Sequence, residues 1–485
     1  TKMIARLYCV VVALLLLAEV SSFGEDNSDA GIIARITKKG LKYALQPAIM
    51  ELPTEEGVSK LELRNFTGKF KNSGIGSIHY EVHNLKINHF ILRNSNLSLL
   101  PLHGVRVSLS NNQVSVYGMW KVKKTFFPAM GTFNMSLGHI SISFSLNVSK
   151  DQNGQPTASV AHCKNTVGKI NIDLSKNIRW IKKHFLDIIK KRTIKILDKK
   201  VCEAIKRAVS SLQPYLRTLP VTSVIDYVAS IDYRLVSNPM VSAKGLDVFF
   251  KGEFFSRKRH IPAPIHVPVI EMPWKKAHMV YFGVSEYVFN TANWVYEHAR
   301  QMHFSIGTAQ IPMNIPIQLH TNSFKTLVPQ LAKLYPNMKM ELEVSPETTP
   351  FLIFNSGNAS LMAVMEIHAY ALRPKTSDHI SLFQIRAVPC CFGLLTSHTQ
   401  KWVGFYKDSW LKLELKQSNV DFFDVQPMET IFNYYAQHTI IPSLNEKLEE
   451  GFPLPLPKST NLTHAVVQIY ENFLLIGANI GYTFI

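Results

Sequence analysis

The chain has 485 residues, of which 46% are hydrophobic, and this content excludes an intrinsically disordered protein and predicts two or more domains with sizeable cores. The formal net charge of +18 is uneven, because residues 23–260 contain 36 Lys+Arg and 17 Asp+Glu, whereas residues 261–485 contain 15 and 17. One strongly basic half favours contact with an anionic partner, such as nucleic acid, an anionic membrane surface, or an acidic polysaccharide or lipid.

The first 22 residues have the pattern of a secretory signal peptide. Lys2 and Arg6 precede an apolar run from Leu7 to Ala18, which is too short to span a bilayer, and Val20-Ser21-Ser22 fits a cleavage site. No later apolar stretch is long enough to predict a transmembrane segment. We therefore expect a secreted, extracellular protein, or one stored in granules, and no nucleic-acid partner.

The next predicted element is a short helix near the start of the mature chain. Its apolar positions are Ile32, Ile33, Ile36 and Tyr43, and Gly40 lies inside it. A glycine within a helix costs about 1 kcal/mol relative to alanine. Its presence therefore indicates that another group approaches the backbone closely at this point.

Two segments of the basic half combine lysines with aromatic residues. Residues 67–74 contain Lys69 and Lys71 around Phe70 in a predicted glycine-containing turn, and the run Trp120-Lys121-Val122-Lys123-Lys124 follows a predicted strand. Lysines at such tips would bind phosphates while the rings enter acyl chains or headgroups. The alternative is an exposed strand with a solvated charged face, and the residues alone leave both interpretations open.

Alternating apolar and polar residues predict amphipathic strands in both halves. The pattern runs through residues 133–137 and 140–149, and it returns at 338–344 and 411–415. This period of two is typical of half-buried strands, most often in antiparallel sheets.

A long basic helix is predicted from Ser175 to about Leu212. Its apolar stripe includes Phe185, Ile189 and Ile205, and the opposite side carries many lysines, among them those at 182–183. The helix could lie on an anionic membrane or pack on the sheet. We favour packing for the stripe and an electrostatic role for the lysines.

A proline-rich connector divides the chain where its charge balance changes. Prolines at 262, 264, 268 and 273 predict an extended, semi-rigid segment. The predicted organisation is a signal peptide at 1–22, a basic N-terminal domain at 23–255, a linker at 256–275 and a C-terminal domain at 276–485. A helical pattern beginning at Ser285 opens the last of these.

Enzyme and metal-site motifs are missing from the sequence. It has no Gly-x-Ser-x-Gly elbow, no His-Glu-x-x-His and no P-loop, and no His/Cys spacing is typical of zinc. We therefore expect neither an enzyme nor a metal site. Cys163 and Cys202 are a plausible disulfide pair, whereas the adjacent Cys390 and Cys391 have no evident partner. Glycosylation acceptor motifs occur at Asn65, Asn96, Asn134, Asn147, Asn358 and Asn461.

Four segments resemble the family of the bactericidal/permeability-increasing protein and the lipopolysaccharide-binding protein. They are residues 31–44, which begin Gly-Ile-Ile-Ala-Arg-Ile, residues 245–254, residues 445–455 and residues 472–475. The four segments follow one another in the order that the family shows.

The resemblance implies an α+β fold shaped as an elongated two-domain boomerang. Each domain would be a barrel in which a twisted antiparallel sheet wraps a long helix, with a central sheet and the proline linker between them. It implies one apolar pocket per half, each holding a phospholipid and no other cofactor, and it places a disulfide at Cys163 and Cys202. The predicted pocket residues are Ile32, Ile36, Gly40, Tyr43, Val288, Ala292 and Val295.

The function implied is that of a secreted innate-immune protein that binds the lipid A part of lipopolysaccharide and kills or neutralises Gram-negative bacteria. The expected partners are lipopolysaccharide, phospholipid and the outer membrane surface, and we expect a monomer. The predicted binding residues are Lys69, Lys71, Trp120, Lys121, Lys123, Lys124, Lys182 and Lys183. Two alternatives remain: an extracellular lipid transfer protein, and a lipopolysaccharide carrier that presents its cargo to a host receptor.

Overall fold

The computed structural model of the protein shows an α+β fold built mostly of antiparallel sheet, with few helices, as predicted. It describes residues 29–43, 63–72, 76–101, 104–123, 128–175, 182–210, 213–217, 219, 221–308, 318–374, 378–389, 393–394, 402–403, 411–435, 438, 442 and 460–482. The predicted signal peptide, the motif at 445–455, Lys124, Cys390 and Cys391 lie outside these residues. None of the described helices is long and apolar enough to cross a membrane.

The strands before the proline-rich connector are β1 (Ile32–Ile36), β2 (Phe66–Asn72), β3 (Gly76–Ile91), β4 (Asn94–Leu100), β5 (Gly104–Lys123), β6 (Ala129–Lys150), β7 (Pro156–Thr166), β8 (Lys169–Leu174), β9 (Thr222–Val224), β10 (Ala229–Asp232), β11 (Met240–Val241), β12 (Leu246–Phe250) and β13 (Glu253–Ser256). Those after it are β14 (Val280–Ser285), β15 (Phe304–Ile306), β16 (Lys339–Pro346), β17 (Phe351–Asn355), β18 (Asn358–Met362), β19 (Met365–Leu372), β20 (His379–Pro389), β21 (Gly393–Leu394), β22 (Trp402–Val403), β23 (Leu411–Ser418), β24 (Thr460–Tyr470) and β25 (Phe473–Tyr482). The helices are α1 (Lys182–Ser210), α2 (Gln213–Leu216), α3 (Glu286–His298), α4 (Pro329–Leu334) and α5 (Gln426–Tyr435), with a 3-10 turn at Thr321–Phe324 and a helical segment at 38–43.

The N-terminal sheet has the strand order β2-β3-β5-β6-β7, with β4 also on β5 and β8 also on β6. Its strands alternate as predicted: Ile140, Ile142 and Phe144 of β6 are buried, while Ser141 is exposed. Alternation of this kind gives the sheet one apolar face and one wet face. The wet face carries the candidate site described below.

Helix α1 packs against the N-terminal sheet. Every fourth residue from Phe185 to Val209 is buried, including Ile189 and Val201. The lysines lie mostly on the other side, so packing, the favoured interpretation, is confirmed for the apolar stripe. The described helix spans Lys182–Ser210, inside the predicted limits.

The central sheet combines strands from both ends of the chain in the order β11-β12-β1-β14-β25-β24. The predicted helix through Ile32, Ile33 and Ile36 is wrong, because these residues form β1, which pairs with β12 on one side and β14 on the other. All five residues of β1 are buried, and a strand covered on both faces shows no alternation. Only the segment 38–43 is helical.

The close approach predicted at Gly40 is confirmed. A Cβ atom added there would lie 2.4 Å from the carbonyl oxygen of Met279, which precedes β14. Any side chain would therefore push the 38–43 segment away from the central sheet.

A buried ion pair ties the central sheet to the connector. The Arg35 guanidinium donates to both carboxylate oxygens of Asp247 at 2.6 and 2.7 Å. The same guanidinium donates to the carbonyl oxygen of Met272 at 3.0 Å. Because these groups are buried and their hydrogen bonds are satisfied, the pair fixes the connector's position against β1 and β12.

The C-terminal sheet has the order β15-β16-β19-β20-β23 and its own hydrophobic core. Helix α3 begins as predicted, since the Ser285 hydroxyl accepts a hydrogen bond from the Tyr287 N–H at 3.2 Å and caps the helix. The smaller pairings are β13-β10-β9, β17-β18 and β21-β22.

Closed barrels are not formed by the described strands. A barrel requires the two outer strands of a sheet to pair with each other, but the N-terminal sheet ends at β2 and β7 and the C-terminal sheet at β15 and β23. The predicted barrel closure is therefore wrong for this part of the chain. The two-domain boomerang, its boundaries and the linker at 256–275 stay predictions.

Candidate functional site

Three of the predicted lysines meet on the outward face of the N-terminal sheet. Lys69 of β2 stands opposite His79 of β3, which stands opposite Lys123 of β5. In the neighbouring row, Glu81 of β3 stands opposite Thr67 of β2 on one side and Lys121 of β5 on the other. Lys71, two residues beyond Lys69 on the same face of β2, stands opposite Ser77. We call Lys69, Lys71, Lys121 and Lys123 the lysine face.

The alternation of the strands produces this arrangement. Along β5, Trp120 and Val122 are buried, whereas Lys121 is half-buried and Lys123 is exposed. Because directly opposed residues of antiparallel strands share a face, Lys69 and His79 project on the same side as Lys123. Residues 67–74 were predicted to form a turn, and this is wrong for 67–72, which belong to strand β2 (Phe66–Asn72).

The lysine face borders a shallow depression of about 260 Å³. Besides Lys69, Lys121 and Lys123, its lining includes Thr67, His79 and Glu81. In the part of the chain that the structure describes, no carboxylate lies within 4.0 Å of a lysine-face ammonium group. The depression therefore presents unpaired positive charge with one nearby carboxylate, an arrangement that suits an anion with several oxygens.

The aromatic residues beneath this face belong to the core. Trp120 is 0% exposed, stacks edge-on against Phe185 of α1 at 5.5 Å, and donates from Nε1 to the Thr132 carbonyl oxygen at 3.1 Å. Its predicted contact with a ligand is therefore wrong, because its ring points into the protein and its N–H is already bonded. Phe70 is half-buried and packs on Tyr80.

Gly68 leaves space for the ring of Tyr80, which packs across it from β3. Gly68 stands opposite Tyr80, and a Cβ atom at Gly68 would lie 2.3 Å from the tyrosine oxygen. The Tyr80 ring thus covers the glycine, and its centroid lies 6.3 Å from the centroid of the Phe185 ring. This contact joins the strands of the lysine face to the first turns of α1.

Of the remaining predicted lysines, the two that the structure describes, Lys182 and Lys183, lie on α1. Lys183 is exposed near the helix start, two residues before Phe185, and the side chain of Lys182 lies outside the described atoms. The helix is fixed to the sheet by the disulfide between Cys163 of β7 and Cys202, with a Cα–Cα distance of 5.8 Å. That predicted pairing is confirmed.

Most of the predicted lipid-pocket residues lie in one hydrophobic cluster, and the prediction of one pocket per half stays a prediction. Ile32, Ile36, Val288 and Val295 belong to one hydrophobic core, and Ala292 packs against it. A Cβ atom at Gly252 would meet both Ile32 and Val288, so strand β1 and helix α3 approach each other there. Gly40 is buried, and Tyr43 is 36% exposed.

The acceptor asparagines lie on strands or close to them. Asn147 is half-buried, and those at positions 65, 96, 134, 358 and 461 are exposed. Within the described residues, no group of three or more His, Cys, Asp or Glu side chains is arranged to hold a metal ion.

Sequence reasoning missed His79, Glu81 and Thr67 as neighbours of the lysines. Their pairing depends on the register among β2, β3 and β5, which becomes visible only when the three strands are aligned. The alternation of Trp120 with Lys121 was a signal that could have placed the tryptophan inside.

Comparison with known proteins identifies relatives along nearly the whole chain. Human lipopolysaccharide-binding protein is 40% identical over 98% of this chain and 97% of its own. The bactericidal permeability-increasing protein of Rattus norvegicus is 32% identical over 97% of this chain and 98% of its own. A crystal structure of lipopolysaccharide binding protein superposes with a TM-score of 0.61 and 36% identity, covering 94% of this chain and 99% of that one.

Family comparison divides the chain into two matching parts. Residues 40–215 match the N-terminal domain of the LBP / BPI / CETP family. Residues 223–482 match its C-terminal domain. The chain therefore belongs to the LBP / BPI / CETP family.

Proposed function

We propose that this protein binds lipopolysaccharide of Gram-negative bacteria and that the lysine face contacts the phosphates of lipid A. The observation that carries the proposal is the row Lys69–His79–Lys123, in which two cations share a sheet face without a carboxylate partner among the described residues. The family is one of lipid-binding proteins without enzymatic activity, which supports a binding function. Relatives named for lipopolysaccharide binding support the choice of ligand.

Each lysine–phosphate pair contributes little to the free energy of binding, and the contributions of several pairs add up. An exposed lysine paired with a phosphate contributes about 0.5–1 kcal/mol, and four such pairs would contribute about 2–4 kcal/mol. Salt screens such pairs over a Debye length of about 8 Å at physiological ionic strength, so binding should weaken as salt is raised. Apolar contact with the acyl chains would add the remaining affinity.

The direct test is binding of the full-length protein to lipid A vesicles across a salt series. The triple variant Lys69→Glu/Lys121→Glu/Lys123→Glu should bind about 100-fold more weakly, because each reversal replaces an attraction with a repulsion. Its matched control is Lys325→Glu/Lys333→Glu/Lys339→Glu, which changes three exposed lysines of the other half by the same charge. Equal losses in both variants would mean that net charge, not this face, drives binding.

A bactericidal effect is a finer part of the proposal. Divalent cations bridge the phosphates of neighbouring lipid A molecules, and lysines that displace them would loosen the outer leaflet. The name of the rat relative, bactericidal permeability-increasing protein, supports this direction. Entry of a small dye into Gram-negative cells should rise with the protein and fall again when magnesium is added in excess. Lipid A binding without dye entry would restrict the protein to neutralisation or carriage.

Secretion and bound phospholipid complete the proposal. A chain expressed with residues 1–22 should appear in the medium of secretory cells without them, and mass spectrometry of the product would identify both the cleavage and any glycans. Extraction of the purified protein with organic solvent should release phospholipid. The apolar side chains Ile32, Ile36 and Val288 would then contact acyl chains within the common core.

A further inference from the structure

A larger cleft lies away from the lysine face, at the C-terminal end of helix α3. It is bordered by that helix end, residues 227–228 and the segment 256–261, and its volume is about 580 Å³. This volume falls within the roughly 300–1,000 Å³ that small-molecule sites occupy. We call it the α3 cleft.

The inner surface of the α3 cleft is apolar. Val228 and Val295 line it and are only 8% and 1% exposed, because both belong to the main hydrophobic core. Trp294 is half-buried beside them. The Tyr227 hydroxyl donates to Gln301 Oε1 at 2.5 Å, and this bond joins the 226–228 turn to the end of the helix.

The rim of the α3 cleft is cationic. Lys258, Arg259 and Arg300 line it and are exposed. Among the described residues no carboxylate lies within 4.0 Å of their charged groups. The negative end of the α3 dipole, worth about half a charge, also faces this region, and three full positive charges outweigh it.

Two acidic residues adjoin the cleft-lining residues in sequence, and each has hydrogen-bond partners of its own. The Asp226 carboxylate accepts from the Tyr296 hydroxyl at 2.7 Å and from the Val228 N–H at 2.7 Å. The Glu297 carboxylate lies 2.9 Å from His298 Nδ1. Neither acid lines the cleft, and the three cations of the rim outnumber these two carboxylates.

The backbone of Arg300 adopts a conformation that glycine favours. Its φ angle is +55°, in the left-handed region that follows many helix ends and that glycine occupies best. A residue with a Cβ atom pays about 1–2 kcal/mol for this conformation. Glycine would fit the backbone at this position at least as well, so the guanidinium can be removed there without straining the fold.

We propose that the α3 cleft binds a single-chain amphiphile with an anionic headgroup, its acyl chain on Val228, Trp294 and Val295 and its phosphate or carboxylate between Arg259 and Arg300. A zwitterionic headgroup would bring its own cation to the same rim and bind less well. The cleft volume of about 580 Å³ favours one acyl chain over two. The site is separate from the lysine face and does not depend on lipopolysaccharide binding.

Tryptophan quenching by a lipid with a brominated acyl chain tests this proposal on the delipidated full-length protein. Brominated lysophosphatidic acid and a brominated fatty acid represent the two headgroups, and brominated lysophosphatidylcholine is the zwitterionic comparison. Saturable quenching should occur with the anionic probes, should be at least tenfold weaker in affinity with the zwitterionic one, and should be largely lost in Trp294→Phe. The stronger of the two anionic probes identifies the headgroup.

Two variants separate binding from folding. Arg300→Gly relieves the backbone, so its melting temperature should equal or exceed that of the wild type while affinity falls about tenfold. Arg259→Glu should also weaken binding about tenfold, whereas Lys244→Glu, an exposed reversal outside the cleft, should not. Quenching retained in Trp294→Phe, equal affinity of the Arg300→Gly and wild-type proteins, or no saturable quenching at all would overturn the proposal. The variant Lys69→Glu/Lys121→Glu/Lys123→Glu should bind the brominated probes with the same affinities as the wild type.

Discussion

The N-terminal and C-terminal sheets each have a row of three ionisable side chains across three adjacent strands. The two rows differ in the charges that these side chains carry. The row Lys69–His79–Lys123 places basic residues on three adjacent strands. The row Glu366–Arg386–Glu414 crosses β19, β20 and β23 with alternating signs. Opposite charges that face each other across strands stabilise a sheet, and like charges destabilise it.

The C-terminal row extends into a network that satisfies every cation in it. Lys416 Nζ lies 2.6 Å from Glu347 and 2.7 Å from Glu366, and Arg386 Nε lies 2.7 Å from Glu347. We call these residues with Glu414 the ion-pair network. The comparison indicates that the C-terminal face is arranged for internal pairing, whereas the N-terminal face keeps its cations available to an external anion.

The largest expected effect concerns the support beneath the N-terminal face. The Cys163–Cys202 disulfide closes a loop with a sequence separation of 39 residues, for which the chain-entropy account gives about 4 kcal/mol. The double variant Cys163→Ala/Cys202→Ala should therefore lower the urea midpoint of the transition that exposes Trp120. The C-terminal transition should stay in place, and a shift of both transitions by the same amount would contradict the regional role of the bond.

Replacement of Gly68 by alanine should have the next largest effect. The new Cβ atom would meet the Tyr80 side chain at 2.3–2.9 Å and force it away from Phe185, at about 1–3 kcal/mol of stability. Gly138→Ala in the same sheet is the control, because its nearest neighbour there is a side-chain atom at 3.8 Å. Thermal melts of both variants test this, and equal melting temperatures would remove the glycine–tyrosine contact from the account.

A single substitution should convert the N-terminal row to the C-terminal pattern. His79→Glu places a carboxylate between Lys69 and Lys123, so stability should rise by about 0.5 kcal/mol while lipid A affinity falls about tenfold. His79→Gln removes the imidazole without adding charge and should change both quantities much less. The expected result for His79→Glu is a higher melting temperature together with a lower lipid A affinity. A decrease in both the melting temperature and the affinity would indicate misfolding instead.

The elements predicted best from sequence were those whose pattern is local. The cap at Ser285, the alternation along β6 and the stripe of α1 each follow from residues close together in the chain. Strand β1 was missed because apolar residues at 32, 33 and 36 fit a helix as well as a strand buried on both faces. Its place between β12 and β14 is set by segments more than 200 residues away.

The candidate sites were also hard to predict, because they depend on contacts between segments that are far apart in the sequence. The lysines themselves were visible in the sequence, but their register with His79 and Glu81 required three strands to be aligned. The α3 cleft was not predicted, because Val228, Arg259 and Arg300 come from three separated segments and share no motif. Burial of Trp120 followed from its alternation with Lys121, which the interpretation of the segment as an aromatic tip overlooked.

The smallest expected effect is a pH dependence confined to the ion-pair network. Lys416, which donates to both carboxylates, lowers the pKa of Glu347 and of Glu366, and Arg386 further lowers that of Glu347. A carboxylate whose pKa is lower in the folded than in the unfolded protein stabilises the fold above its ordinary pKa. That contribution disappears as the pH falls through the lowered pKa, because the unfolded chain binds the proton first.

The melting temperature should therefore decline between about pH 5 and pH 3, and less steeply in Lys416→Met than in the wild type. Lys412→Met, on the same strand and exposed, should follow the wild type, since Lys412 is no part of the network. Parallel pH curves for the two variants would show that the network adds no stability. Lipid A affinity at neutral pH should be the same in both variants, because neither lysine belongs to the lysine face that we propose contacts lipid A.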